Sequence, residues 1–294
     1  NASGTETLSA VNGNIQSGIN GGAHTLAPQA QLSTIEVQYT NNGSAGTITT
    51  SGYTFVTGDT YDLTNGSKYI LTSTVTGSSK QLHVSALQDP PVSTISFIGT
   101  TIKTTNASTF TFSNHALGDA ASNRRMVVST AHTGGSTATV SAVTIAGVSA
   151  TKAADSGLDG EFIVTIWYAD VATGTTGDIV VAMTGTKGCC GLGVYRVLNG
   201  GTLVDTATDK NDNTAVTGTI TCTSGNVIIA TSIVSDSRTA TWSSTVTEQF
   251  DGELEGSSFY SGAMGTSNVG DVTVTATWSG GTSFDALAVA AFGP

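Results

Sequence analysis

From residue 32 onward, apolar and polar residues alternate with a period of two far more often than they recur every three or four. In Val272-Thr273-Val274-Thr275-Ala276-Thr277-Trp278, the valines, alanine and tryptophan fall on one side and the threonines on the other. Side chains of an extended strand point alternately to opposite faces, so the pattern predicts half-buried antiparallel strands. No segment sustains a helical period. The predicted fold class is all-β.

Turn residues divide the strands. Apolar alternation at 35–39, 54–56, 69–75 and 82–86 is broken by Asn41-Asn42-Gly43, Thr64-Asn65-Gly66 and Gly77-Ser78-Ser79. Short strands at this spacing predict a small β-sandwich or barrel over 23–89. Asp89-Pro90-Pro91 reads as a stiff spacer, because proline fixes its own φ and extends the residue before it. Residues 1–22 carry scattered glycines (Gly13, Gly18, Gly21, Gly22) without a period and are expected to form an extended arm.

Beyond the prolines, strands are predicted at 95–98, 109–112, 125–130, 142–145, 162–168, 179–183, 191–197, 219–223, 227–233, 239–242, 272–278 and 285–292. Phe162, Val164, Ile166 and Tyr168 share one face, with Ile163 and Trp167 on the other, so that strand is expected to be central. The set predicts one larger antiparallel jelly-roll-like β-sandwich over 90–294. No internal sequence repeat is legible.

Composition narrows the functional classes. Charged residues are 11% of the chain, against roughly 25% in an average soluble domain, and Thr, Ser and Asn supply the polarity instead. The net charge is −11, with two basic against five acidic residues before residue 90 and eight against sixteen after it. Neither part offers a basic patch, which argues against nucleic-acid partners and anionic membranes. No apolar run is long enough to span a bilayer as a helix, and no signal-peptide pattern is legible from Asn1 onward.

Candidate chemistry is sparse. Adjacent Cys189 and Cys190 point to opposite faces of a strand, so at most one could bond Cys222; buried small hydrophobes are the expected role of all three. His24, His83, His115 and His132 sit in unrelated contexts, and no Gly-x-Ser-x-Gly elbow marks a nucleophile. Glu248, Asp251, Glu253 and Glu255 cluster in a glycine-containing segment expected to be a solvated loop; a glycosidase would need two such carboxylates across a groove. Asp209, Asn211 and Asn213 alternate as in short calcium loops, but Thr214 and Ile220 replace the glycine and glutamate of an EF-hand. A Ca²⁺ site and a plain Asx-rich turn both fit that spacing. Trp242, Tyr260 and Asn268 are the candidates for a glycan-binding surface.

The segments 143–152 (VTIAGVSATK), 172–181 (ATGTTGDIVV) and 188–195 (GCCGLGVY) resemble the β-sandwich regions of tailed-bacteriophage virion proteins, a likeness covering about residues 105–294. The first domain is similar in style to small β-domains of phage fibres and head decorations. The resemblance implies a non-enzymatic, oligomeric protein of the virion surface, without cofactors. The head is expected over the tail, because the sequence shows no long repetitive or helical shaft and offers an N-terminal arm that could grip a lattice. Its implied partners are other virion proteins, further copies of itself and a host-surface glycan. A secreted carbohydrate-binding module or adhesin is the alternative, and a glycoside hydrolase using Glu248 or Asp251 a further one.

Overall fold

The computed structural model describes residues 4–9, 15–61, 66–87, 92–135, 137–211, 213–256, 258–267, 269–280 and 284–294. These hold twenty-five strands and no helix. The fold is all-β, as the period-two pattern predicts. The chain divides into two compact units, Asn1–Pro90 and Pro91–Pro294; Asp89, Pro90 and Pro91 lie outside the described residues.

The first unit contains β1 (Gly4–Thr7), β2 (Ile15–Asn20), β3 (His24–Ala27), β4 (Ser33–Asn41), β5 (Ile48–Thr50), β6 (Phe55–Gly58), β7 (Lys68–Thr76) and β8 (Ser79–Leu87). They form a three-stranded sheet, β1-β3-β5, and a five-stranded sheet, β2-β4-β7-β8-β6. Leu8, Leu26, Ile35, Val37, Tyr39, Leu71, Leu82 and Val84 make the core of this unit.

The described residues of the arm expected at 1–22 belong to the sheets instead. β1 pairs in parallel with β3, β2 pairs in parallel with β4, and Leu8 is buried in the core. Edge strands join a sheet through backbone hydrogen bonds, so they need no hydrophobic period of their own, and composition concealed them.

The second unit starts with β9 (Thr94–Lys103), β10 (Ala107–Ala116), β11 (Arg124–Thr133), β12 (Val140–Ile145), β13 (Val148–Ser149), β14 (Thr151–Asp155), β15 (Ile163–Asp170), β16 (Thr176–Lys187) and β17 (Cys189–Leu198). It continues with β18 (Thr202–Asn211), β19 (Ala215–Cys222), β20 (Asn226–Val234), β21 (Ala240–Trp242), β22 (Thr247–Glu255), β23 (Ser258–Ser267), β24 (Gly270–Trp278) and β25 (Asp285–Gly293).

This chain path runs through one topology twice. The sheets β14-β15-β11-β17-β9 and β10-β16-β12-β13 come from the first half, and β22-β23-β20-β25-β18 and β19-β24-β21 from the second. With the two-residue β13 set aside, each half places its strands fifth-sixth-third-eighth-first in one sheet and second-seventh-fourth in the other. First, eighth, third and sixth side by side, facing second, seventh and fourth, is the jelly-roll order, with the fifth strand moved to the larger sheet. The single sandwich expected over 90–294 is therefore two consecutive jelly rolls within one compact unit.

The four sheets stack as layers. Phe110, Phe112, Val143, Ile145, Ile179 and Val181 of the outer sheet pack on Met126, Val128, Leu192 and Val194. The two five-stranded sheets pack on each other through Val127, Val164, Ile166, Tyr195, Ile229, Ile233, Phe250 and Tyr260. Val216, Ile220, Val274 and Ala276 close the far side against Ile228, Leu287 and Val289. β11, β20 and β25 are consequently buried along their whole length. Along the middle seam β17 presents Gly191 and Gly193, where a Cβ would lie 2.6 Å from the Leu254 side chain and 2.7 Å from the Phe250 ring. β25 meets it with Ala286, Ala288 and Ala290.

Candidate functional site

At one end of the seam between the jelly rolls lies a cleft of about 510 Å³, lined by Asn106, Thr133, Gly134, Gly135, Glu161, Thr186, Gly188, Glu255 and Ser258. Five chain reversals build it: the β9–β10 turn, the exit of β11, the entry to β15, the β16–β17 turn and the β22–β23 turn. Gly134 and Gly135 take φ of 73° and 132°, in the left-handed region that favours glycine.

One buried cation ties three of these reversals together. Lys187 is fully buried, and its ammonium donates to the carbonyls of Gly135 (2.7 Å) and Glu161 (2.6 Å). Burial lowers its pKa, opposed by the Glu161 carboxylate. Glu161 in turn accepts from the Thr133 hydroxyl (3.1 Å) and the Gly135 N–H (3.2 Å). Glu255 reaches the opposite wall, with Oε2 against Gly134 and Gly188. The cleft offers carboxylate, hydroxyl and amide groups on a rigid frame, a surface suited to hydroxyl-rich ligands.

Beneath it, Cys190 Sγ lies 4.0 Å from Nε2 of His132, which also meets the Thr130 hydroxyl at 2.9 Å. Burial and then the Lys187 charge push the imidazole down to about 3. Burial pushes Cys189 up to about 11 and Cys190 well above the ordinary thiol range. A thiolate–imidazolium pair needs the opposite shifts, so these groups pack rather than react. Cys189 and Cys190 do face opposite cores, and all three cysteines are buried and free. The remaining histidines bond locally: His24 to Tyr39 Oη, His83 to Thr57 Oγ1, His115 to Thr101 Oγ1.

The four acids expected in a loop belong to a strand, β22, whose Phe250 and Leu254 bury in the seam. They separate accordingly. Glu255 enters the cleft, while Asp251 accepts the Ala240 N–H at 2.9 Å. Burial raises the pKa of Asp251; burial and then the Asp251 charge raise that of Glu248. Glu253 is exposed.

Asp209, Asn211 and Asn213 also lie on or beside a strand, β18, that the sequence pattern did not reveal. Asp209 Oδ2 accepts from the Thr217 N–H and the Asn211 amide, and Asn211 Oδ1 accepts the Asn213 N–H in an Asx turn. The Asp209 and Asn211 oxygens are thus engaged by N–H donors, as in the Asx-rich turn that the spacing allows. Among the described residues, no group of three His, Cys, Asp or Glu is placed to hold a metal.

Two of the three glycan candidates fall within the described residues. Tyr260, expected at the surface, is buried in the seam with its hydroxyl on Thr100, because it fills the space above Gly191 and Gly252. Trp242 is half-buried and donates to Ser261 Oγ at 2.8 Å. Asn268 lies outside the described residues.

Glu161 and Lys187 were not singled out by the sequence reading. The available signal was a charged residue at the rim of an apolar strand in a chain with few charges. No protein-family model matches the chain, and no curated protein matches it.

Proposed function

We propose that this chain is a non-enzymatic structural protein of a particle surface, of the kind its strand-and-turn segments resemble in tailed-phage virions, on the head rather than the tail. The observation that carries the reading is the doubled jelly roll: four layers whose exposed outer sheet displays cross-strand threonine pairs, Thr217–Thr275 and Thr219–Thr273, with Asp271 the one charged residue of its strands. Such a slab is stiff, bonds its own polar groups and presents a hydroxyl-rich skin to neighbours. Mass spectrometry of purified particles tests it: many copies per particle support a shell component, few copies a tail part. A chain absent from particles defeats the proposal.

The polar cleft favours a second reading, a carbohydrate-binding module or adhesin. Glu161, Glu255, Asn106, Thr133 and Ser258 would supply the acceptors and donors that sugar hydroxyls need. Glycan-array binding that is lost in Glu255→Gln supports this alternative, and binding unchanged by that substitution removes the cleft from it.

A further inference from the structure

The edges of the five-stranded sheets are guarded differently in the two units. The smaller sheets of the second unit end in strands without Asp, Glu, Lys or Arg (β10, β13, β19 and β21). In the second unit, every edge strand of both five-stranded sheets carries charge: Lys103 on β9, Lys152 and Asp155 on β14, Asp205, Asp209 and Lys210 on β18, and the acids of β22. Charged edges are the common protein device against edge-to-edge pairing. In the first unit the five-stranded sheet ends in β2 (IQSGIN) and β6 (FVTG), which carry no charge. Both expose large apolar side chains instead: Ile15 is 72% exposed, Ile19 54% and Phe55 58%.

These two bare edges match one another. Paired residues of neighbouring strands share a face, and Ile15 and Ile19 are opposite Glu36 and Thr40. Across the sheet the pairs Thr34–Thr74, Thr74–Gln81 and Gln81–Phe55 carry that same outer face to β6. Ile15, Ile19 and Phe55 therefore stand on one side of the sheet, with Val56, 48% exposed, on the other. Strand direction agrees too. β2 is parallel to β4, β4 and β8 are both antiparallel to β7, and β6 is parallel to β8, so β2 and β6 run the same way.

We propose that the first unit joins copies of this chain head to tail, the β6 edge of one copy pairing in parallel with the β2 edge of the next. Translation of one copy across the strand direction continues the sheet and brings Phe55 beside Ile15 and Ile19. The contact is heterologous, so it generates a ring or an open row rather than a closed two-fold dimer. This names the oligomerising surface that a shell protein of the proposed kind needs, and it is read on the purified chain. It can thus fail while the particle assignment holds, and the reverse.

The test is analytical ultracentrifugation of the full chain at rising concentration. Wild type is expected to sediment above the monomer mass, increasingly so with concentration. The double substitution Ile15→Lys with Ile19→Lys, and separately Phe55→Lys, are each expected to give monomers. Mixed one to one, the two variants are expected to form a dimer and nothing larger, since each retains the edge the other lacks. Ser17→Lys and Thr57→Lys, which remove no apolar side chain, serve as a second pair if either first variant melts early. A monomeric wild type overturns the proposal. So does continued association of Phe55→Lys alone, the mark of a two-fold β2–β2 contact, and so does a mixture that stays monomeric.

Discussion

At the start of the third strand of each jelly roll stands a buried polar side chain, Arg124 in the first and Asn226 in the second. Arg124 donates to six carbonyls, those of Val171, Leu117, Gly118, Asp119, Thr173 and Gly174. Asn226 Oδ1 accepts only the N–H and hydroxyl of Thr223. The loops they serve explain the difference. The first roll reaches this strand through residues 117–123, the second through 223–225. The longer loop and the neighbouring β15–β16 connection each bring three carbonyls without strand partners, which the five donors of a guanidinium answer. The short turn instead presents an N–H and a hydroxyl, which the Asn226 carbonyl oxygen accepts. The same topology thus accepts a polar or a near-apolar end. Further along that strand His132 occupies the position that Val234 holds in the second roll, one place after the equivalent pairs Ala131–Gly191 and Ile233–Ala286.

The largest effects should follow the buried guanidinium. Arg124→Met leaves six carbonyls without their donor and is expected to cost about 3–5 kcal/mol. Asn226→Ala is expected to cost about 1–2 kcal/mol, since one acceptor serves a short turn. Denaturant unfolding of the full chain, followed in the transition of residues 91–294, measures both. Equal losses would break the comparison.

His132 separates the rolls by pH. Its folded pKa is held at about 3, below the ordinary 6.5, by burial and by Lys187. The unfolded chain therefore binds the extra proton first, and stability is lost as pH falls through 6.5 towards 3, by about 1.4 kcal/mol per unit. Asp251 and Glu248, with raised values, act in the opposite direction and gain stability on acidification. The difference between wild type and His132→Val isolates the histidine, by writing the second roll's residue into the first. A difference that stays constant from neutral pH to pH 4 would refute the assignment.

The seam contrasts glycine with alanine. Gly193→Ala places a methyl against the Phe250 ring and the Ser129 hydroxyl, at 2.7 and 2.6 Å, and is expected to cost about 1–3 kcal/mol. Ala288→Gly, at the equivalent place on β25, is expected to cost about 1 kcal/mol through lost packing and added backbone freedom. A Gly193→Ala variant as stable as wild type would mean that the sheets can part without penalty.

Strands that bury one face or both were legible from period two and apolar runs, as at 162–168 and 285–292. Most of those that were missed bury little of themselves; β23 is the exception, a largely buried strand whose serines and glycines leave no apolar alternation. β18 has no fully buried residue, and β2 alternates only between exposed and half-buried positions until Asn20. Their place is set by neighbours' hydrogen bonds, which leave no hydrophobic trace. The duplication did leave one. Gly177-Asp178-Ile179-Val180-Val181 and Gly270-Asp271-Val272-Thr273-Val274 open the seventh strand of each roll, and each aspartate caps the second strand, through the Asn114 N–H and the Thr221 hydroxyl. Five residues in a threonine- and valine-rich chain do not stand out until the topology aligns them. The cleft was illegible for a related reason, because Glu161, Lys187 and Glu255 come from three separate reversals.

The smallest expected effect bears on the outer skins. In the second roll Thr219 faces Thr273 and Thr217 faces Thr275; in the first the equivalent pairs are Thr111–Val180 and Thr109–Ala182. The Thr219–Thr273 hydroxyls lie 3.1 Å apart on an exposed face, where water offers either of them an equal partner. Thr273→Val, which copies the first roll, keeps a β-branched side chain and removes only that bond. The expected change is about 0.2–1 kcal/mol, read as a small shift of the denaturant midpoint with an unchanged slope. A loss above about 2 kcal/mol, beyond what a solvent-exposed cross-strand pair supplies, would mean that the threonine ladder holds the sheet together. It would then no longer be a surface available to a neighbour, and the main support for the particle-surface reading would fall with it.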